Sequence, residues 1–511
     1  MPPRRTPGRL RDLLPGLAAL LLIGTSVWRL EAARDGVAIE ALTLGETPVT
    51  VFRPAEPTPG PAVVIAHGFA GSQQLMQSFA LTFARNGYVA VTFDFPGHGR
   101  HPRPMAGAGG ESGSAGLEAE LDRVAPVARG LGDGRLALLG HSMASDIVVR
   151  SGGATPGVGA VVAVSMFSRS VTPESPPNLL VMAGQWEGPL RGEALRVVGQ
   201  VVGPERARER ETVGDFAAGT ARRAVIIPHV EHIGALYAVD GLREALAWLD
   251  QAFGRQRAGP PRLESRGPWI LLLLAGAVLL GKTVAGLLPV VSPQPAGTGL
   301  RGRELWLLAV PMLLTPLALR VIPTHVLPVL VGDYLAAHFA AYGAVTAACI
   351  LAVRRRRPAG PAGPVSLAAL ATGVAALSLY AAAALFWPLD RYATSFALGP
   401  SRIVLVLAML AGTLSFSLAN EWLTRGPGAS RLAYPLSQAA FLASLALAVG
   451  LDFHRLFFLV IIVPVMAPVL MAFGLLSRWT YDRTGSPLVA GAVSGLAFAW
   501  AIGVTFPLLA A

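Results

Sequence analysis

From about Ala258 to the C-terminus, apolar runs of 18 residues or more follow one another with only short polar breaks. Each is long enough to cross a hydrocarbon layer about 30 Å thick as a helix. Inside that layer no water is available to the backbone, so a single-segment span must be helical to satisfy its own N–H and C=O groups. Eight such segments lie at approximately 269–290, 305–322, 326–353, 365–388, 402–423, 432–450, 455–476 and 487–510. A ninth, Leu13–Val27, follows the basic start of the chain. Composition agrees: 53% of the 511 residues are hydrophobic and 14% charged, with mean hydropathy +0.53, too apolar for a wholly soluble protein.

The formal charge of +11 is a topology signal rather than a nucleic-acid footprint. Its arginines cluster beside apolar runs, as in "RRTPGRLR" near the start and Arg354–Arg357. With the N-terminus inside, the inner loops carry Arg301/Arg303, Arg354–Arg357, Arg425/Arg431 and Arg478/Arg483, whereas the outer loops carry Arg320, Arg391 and Arg455. That alternation is the positive-inside pattern, and contact with anionic lipid headgroups follows from it. No basic stripe interleaved with aromatics marks a nucleic-acid partner. Cys349 is the sole cysteine, so no intramolecular disulfide, zinc-thiolate or iron–sulfur site can form.

The chain divides into a cytoplasmic basic stretch (1–12), an anchor (13–28), a water-soluble region (37–254), a linker (255–268) and a membrane region of about eight helices (269–511). "EAA" after the first apolar run leaves a cleaved signal peptide as the other reading of the anchor. Either sends residues 37–254 to the non-cytoplasmic side, periplasmic or extracellular. In that region the strand candidates are Val49–Phe52, Ala62–Gly68, Tyr88–Phe95, Leu136–Gly140, Gly159–Phe167, Leu179–Gly184 and Ala224–His229. Most are continuous apolar runs, as in strands buried on both faces of a parallel sheet. Helical segments such as Gln74–Asn86, Leu117–Arg129 and Leu242–Phe253 separate them. The alternation implies a doubly wound α/β domain.

Chemistry gathers at the ends of these strands. "LALLGHSMASDIVV" (Leu136–Val149) has a strand, a glycine, Ser142 two residues on, and a helix-like segment: the outline of a nucleophile elbow, with Ala144 where a second glycine is usual. "AVVIAHGFAGS" ends a strand in His67-Gly68-Phe69. "DFPGHGRH" (Asp94–His101) follows the next strand, "LLVMAGQWEG" reaches Gly184-x-x-Glu187, and the last strand leads to "PHVEHIGALY". Together these resemble the α/β-hydrolase family over about 200 residues. The resemblance implies an α/β-hydrolase fold and a serine hydrolase of ester or acyl bonds, with Ser142 as nucleophile, His232 as base and Glu187 orienting the base. It further implies that Phe69 and Met143 supply the oxyanion-hole N–H groups. His229 competes with His232, and Asp215 is the fallback for Glu187, which stands where Asp is commoner. Only about ten residues, "SRSVTPESPP", join the strand candidate ending near Phe167 to the one starting near Leu179, leaving little room for the lid many hydrolases insert there.

Other residues read more plainly. His67, His98 and His101 fit loop packing better than a metal site, since zinc-site spacing is missing. No cofactor is expected. "GAVLLGKT" (Gly276–Thr283) matches the Walker A letters but lies within an apolar span, where no strand-to-helix phosphate loop can form. Asp333, His338, Asn420 and Glu421 lie within spans, where ionisable groups are functional candidates; structural pairing is the favoured reading. The expectation is therefore a membrane-embedded serine hydrolase acting on ester, acyl or lipid-like substrates. Its rivals are a transporter, or a sensor or scaffold, carrying a non-catalytic hydrolase domain.

Overall fold

A computed structural model describes residues 10–56, 59–107, 110–257, 259–357 and 364–510. The basic N-terminal stretch up to residue 9 lies outside them. The described chain forms two compact units. The α/β unit comprises Ser26–Leu271 together with Leu389–Ala397 and the residues from Thr505 onward; the remainder is helical.

After α1 (Leu10–Ala32), the α/β unit builds one nine-stranded sheet. Its strands are β1 (Val37–Leu44), β2 (Thr47–Pro54), β3 (Ala62–Ala66), β4 (Val89–Phe93), β5 (Leu136–His141), β6 (Val158–Val164), β7 (Leu179–Gly184), β8 (Thr212–Val213) and β9 (Arg222–Ile227). They lie in the order β1-β2-β4-β3-β5-β6-β7-β9-β8. The block from β4 to β9 is parallel, whereas β1, β2 and β8 join antiparallel at the edges. All residues of β3, β4, β5 and β7 are buried, which is why their sequences are unbroken apolar runs. The strands missing from the sequence reading are edge pieces. β1 carries Glu40 and is mostly half-exposed, and β8 has two residues.

Five helices cover the sheet: α2 (Gln77–Arg85), α3 (Gly110–Leu131), α4 (Met143–Ala154), α5 (Gly188–Val202) and α6 (Val239–Ala252). The apolar side of α6, with Leu242, Leu246, Trp248 and Leu249, joins Phe79, Phe83 and Tyr88 in one continuous core. Two late stretches complete the unit. Arg391 forms a two-pronged ion pair with Glu31 at 2.9 Å, and Ser395 N–H donates to Ser72 Oγ at 2.7 Å. The C-terminal tail pairs through backbone bonds: Met105 N to Leu508 O at 2.8 Å, Leu508 N to Gly97 O at 2.9 Å, and Ala510 N to Met105 O at 2.9 Å. The apolar run 487–510 is thus helical only to Thr505. Pro507 cannot continue a helix, because it lacks an N–H and clashes with the preceding turn.

Nine helices among the described residues are long and apolar enough to cross a membrane. They are Leu14–Ala32 within α1, α7 (Arg266–Leu287), Gly302–Leu319, Gly332–Arg356, Leu367–Tyr392, Pro400–Thr424, Ala433–Leu451, Leu459–Thr484 and Pro487–Thr505. The 332–356 and 400–424 helices cross closely. A Cβ at Gly343 would lie 2.6 Å from Phe416 N, so the small residue sets the spacing. Phe339, Tyr342, Phe416 and Phe441 pack as a ring cluster beside that crossing. Asp333, His338 and Glu421 each have a polar partner. Asp333 meets Arg455 at 3.2 Å and His325 at 3.4 Å, and His338 Nε2 lies 3.1 Å from Ser444 Oγ. Glu421 accepts from Ser477 Oγ at 2.6 Å and from Arg425 Nε at 3.2 Å. Gly276–Thr283 is uninterrupted helix, without the loop a phosphate cradle requires.

Candidate active site

The strand order locates a crevice. From β3 the chain winds one way to β4, then returns to β5 and winds outward through β6, β7 and β9. The direction reverses between β3 and β5, and open α/β sheets bind ligands outside the carboxyl ends of strands at such a switch point. His67-Gly68-Phe69 leaves the end of β3 and Ser142 leaves the end of β5.

Ser142 has φ 54° and ψ −116°, a sparsely populated conformation for a residue with a side chain, held only where neighbours over-determine it. Here they do. Ser142 N–H donates to Val164 O at 2.9 Å, extending the β5–β6 ladder, and its carbonyl accepts from Ser145 N at 2.9 Å. Strand thus turns into α4 at a single residue, which lifts the hydroxyl clear of the sheet. Gly140 makes the close return possible, since a Cβ there would lie 2.7 Å from Val148 Cγ2. Ala144 is fully buried at the second small position.

The loop after β9 brings His232 Nε2 to 2.9 Å from Ser142 Oγ and its Nδ1 to 2.5 Å from Glu187 Oε1. The carboxylate fixes the proton on Nδ1, leaving Nε2 to accept from the serine hydroxyl. Glu187 follows β7 and folds back on its own loop: Oε2 accepts from Gly184 N at 2.6 Å and from Ser165 Oγ at 2.8 Å. This return takes up the extra methylene of Glu relative to Asp. One oxygen is anchored, the other faces the imidazole.

The two alternatives lie elsewhere. His229 is exposed, and its N–H is held by Gln185 Oε1 at 2.9 Å. Asp215 closes its own turn by accepting from Ala218 N at 2.8 Å. On the side of Phe69, a Cβ at Gly68 would lie 3.0 Å from Ser142 Cβ, so this loop abuts Ser142. Met143 opens α4, where backbone N–H groups have no intrahelical acceptor.

Two residues that sequence reading passed over complete the surroundings. Ser165, at φ 53° just past β6, is the second anchor of Glu187. Aligning the parallel strands, with Val164 opposite Met182, would have placed it beside the acid loop. His141 precedes Ser142, its ring 4.8 Å from that of His232, and its Nε2–H donates to His232 O at 3.2 Å. Burial, then the neighbouring His232, holds the His141 pKa well below the usual histidine value. A neutral His141 therefore lies against His232 without adding a positive charge there. Burial likewise lowers His67, with Asp94 opposing. The Nδ1–H of His67 donates to Gly68 O at 2.8 Å while Nε2 accepts from Phe95 N at 3.1 Å, tying the loop after β3 to the loop after β4. Among the described residues no three His, Cys, Asp or Glu side chains are grouped to hold a metal.

Residues 57–209 match the family described as serine aminopeptidase, S33. That match agrees with the sheet order and the strand-to-helix serine already described. The α/β unit has the α/β-hydrolase fold. Solved structures similar to it include a lipase from Acinetobacter baumannii (14% identity, 45% of this chain and 97% of that chain, TM-score 0.32). Others are a dienelactone hydrolase from Klebsiella pneumoniae (17%, 42% and 100%, 0.32) and a bacterial membrane phospholipase A (14%, 48% and 95%, 0.31). No curated protein matches the chain. The α/β unit accounts for about half of the sequence, and the rest is the multi-pass helical unit.

Proposed function

We propose that the chain is a membrane-embedded serine hydrolase that cleaves ester or other acyl bonds on the non-cytoplasmic side, acting on lipid-like substrates. The observation that carries this reading is the 2.9 Å approach of His232 Nε2 to Ser142 Oγ at a serine in a strained elbow. Ser142 Oγ attacks the acyl carbonyl while its proton passes to His232 Nε2. The carbonyl oxygen takes the negative charge and is received by Phe69 N–H and Met143 N–H. His232 then returns the proton to the leaving alkoxide, which departs as the alcohol and leaves an acyl-serine. Water, deprotonated by the same nitrogen, releases the acid. Glu187 stabilises the imidazolium in both halves. Oxyanion donors of this kind are worth roughly 10²–10³ in rate each.

Phe167 and Trp186, on loops beyond β6 and β7, are 59% and 66% exposed. An apolar rim at the edge that carries the site favours an apolar acyl group over a peptide. The orientation of the arginines supports the outward side, and so does chain parity. With the N-terminus inside and nine spans, both 389–397 and the C-terminal tail fall outside, as does the hydrolase domain that incorporates them.

Fluorophosphonate labelling of isolated membranes tests the chemistry. Wild type is labelled and Ser142→Ala is not; a folded wild type that resists labelling would leave a non-catalytic hydrolase domain on a sensor or transporter. For sidedness, a cysteine placed at exposed Arg169 reacts with an impermeant maleimide in intact cells. Protection until lysis would reverse the orientation.

A further inference from the structure

The tail that follows the last membrane helix reaches the loop carrying Phe69. Phe506 is buried, with its ring edge-on to Phe69 at 6.3 Å and 86°. Another contact on Phe69 comes from His98, edge-on at 6.4 Å, and His98 in turn lies 5.2 Å from His67. Phe69 thus packs between two aromatic neighbours, one from the loop after β4 and one from the far end of the chain. Edge-to-face pairs of this kind add to the stability that burial gives. The loop needs such holding, because the next residue, Ala70, stands at φ 52°.

The tail itself is fixed on both sides of Leu508 by its backbone bonds to Gly97 and Met105. Gly97, at φ 77°, leaves the room: a Cβ there would lie 2.5 Å from Leu508 O. Two residues after Ala70, bonds from Ser72 to Thr394 and Ser395 hold the end of the same loop. Only fourteen residues, Ser165–Asn178, separate β6 from β7, so the loop that carries Phe69 is braced by these late stretches rather than by a long insertion there.

We propose that Phe506 is a positioning residue for the oxyanion hole: by holding the Phe69 ring it sets the direction of the Phe69 N–H toward the carbonyl oxygen of an acyl substrate. This rests on the serine-hydrolase reading above. Phe506 acts through Phe69, so its removal weakens transition-state binding while leaving the Ser142–His232–Glu187 geometry intact.

The test uses the full chain in detergent micelles, comparing wild type, Phe506→Ala, Phe506→Leu and Leu508→Pro, which lacks the N–H bonded to Gly97. Rates on p-nitrophenyl butyrate, inhibition by an alkyl boronic acid and melting temperature are measured on each. Phe506→Ala lowers kcat about tenfold, a fraction of what loss of a whole donor costs, with KM within about twofold and boronate affinity reduced by the kcat factor. Phe506→Leu recovers most of the loss, and Leu508→Pro reproduces Phe506→Ala. Unchanged kcat and boronate affinity in an active enzyme overturn the inference. So does a rate loss that follows a lowered melting temperature while boronate affinity per active molecule stays constant. A wild type that neither turns over nor takes the fluorophosphonate fails earlier, and sinks the serine-hydrolase reading itself.

Discussion

Each unit of this chain contains a serine, a basic residue and a buried glutamate in hydrogen-bond contact, and the two sets do opposite things. In the hydrolase domain Ser142, His232 and Glu187 form an open line ending in a hydroxyl at a strained turn. In the helical unit Glu421, Arg425 and Ser477 close a ring: both other residues donate to the carboxylate, and Arg425 Nη2 lies 2.9 Å from Ser477 Oγ. Arg cannot give up its proton, so Ser477 has no base and stays a donor. Imidazole can accept one, and Ser142 is aimed at it. On the proposed reading, reactivity therefore depends on the middle residue and on where the serine stands, rather than on the ingredients.

That contrast breaks most visibly at the serines. Ser142→Ala lowers the acyl-hydrolysis rate by ~10⁴–10⁶, read from initial rates on a soluble ester, whereas Ser477→Ala leaves it within about twofold. Next in size is Arg425→Ala. It strands Glu421 in a buried site, and removing one partner of a buried pair costs about 3–5 kcal/mol. The melting temperature in detergent falls, while kcat per folded molecule is unchanged; a fall in kcat at constant stability would tie the ring to catalysis.

The histidines supply a pH test confined to the hydrolase domain. His141 and His67 have folded-state pKa values below those of the unfolded chain, so between the two the unfolded state binds more protons. Stability conferred by keeping them neutral is complete above about pH 6.5 and declines as pH falls, by up to about 1.4 kcal/mol per unit for each group. Melting temperature against pH from 7.5 to 5 shows this slope, and His141→Gln makes it shallower. A slope unaltered in His141→Gln would put the acid sensitivity elsewhere. The smallest effect is at Ser165→Ala, which removes one of the two anchors of Glu187 Oε2. A net hydrogen bond is worth about 1 kcal/mol, so kcat drops about fivefold with KM steady; no change would mean Gly184 N–H suffices.

The parts legible in the sequence are those whose physics is local or repeats along the chain. Buried parallel strands announce themselves as apolar runs, membrane helices by length, and the elbow by Gly140 and Ser142 against a strand. β1 escaped because a half-exposed edge strand with Glu40 in it has no such run. Ser165 and His141 escaped because their roles arise from neighbours far along the chain, Glu187 and His232. The last apolar run was read as span to residue 510 because hydropathy does not register Pro507, nor the backbone bonds that draw Leu508 to Gly97. Long-range pairing of this kind leaves no periodic trace.

The hydrolase domain's discontinuity has a consequence for the order of events during synthesis. Its first body ends at Leu271, yet its last piece begins at Thr505. Ribosomes add about 5–20 residues per second, so Ser142, Glu187 and His232 are all outside the ribosome tens of seconds before Phe506 exists. A chain stalled or truncated among its later spans would carry a folded sheet and a serine facing its histidine, but no tail to settle the neighbouring loop. Completion of the membrane region would then act as a clock, delaying full activity until the last helix has been made.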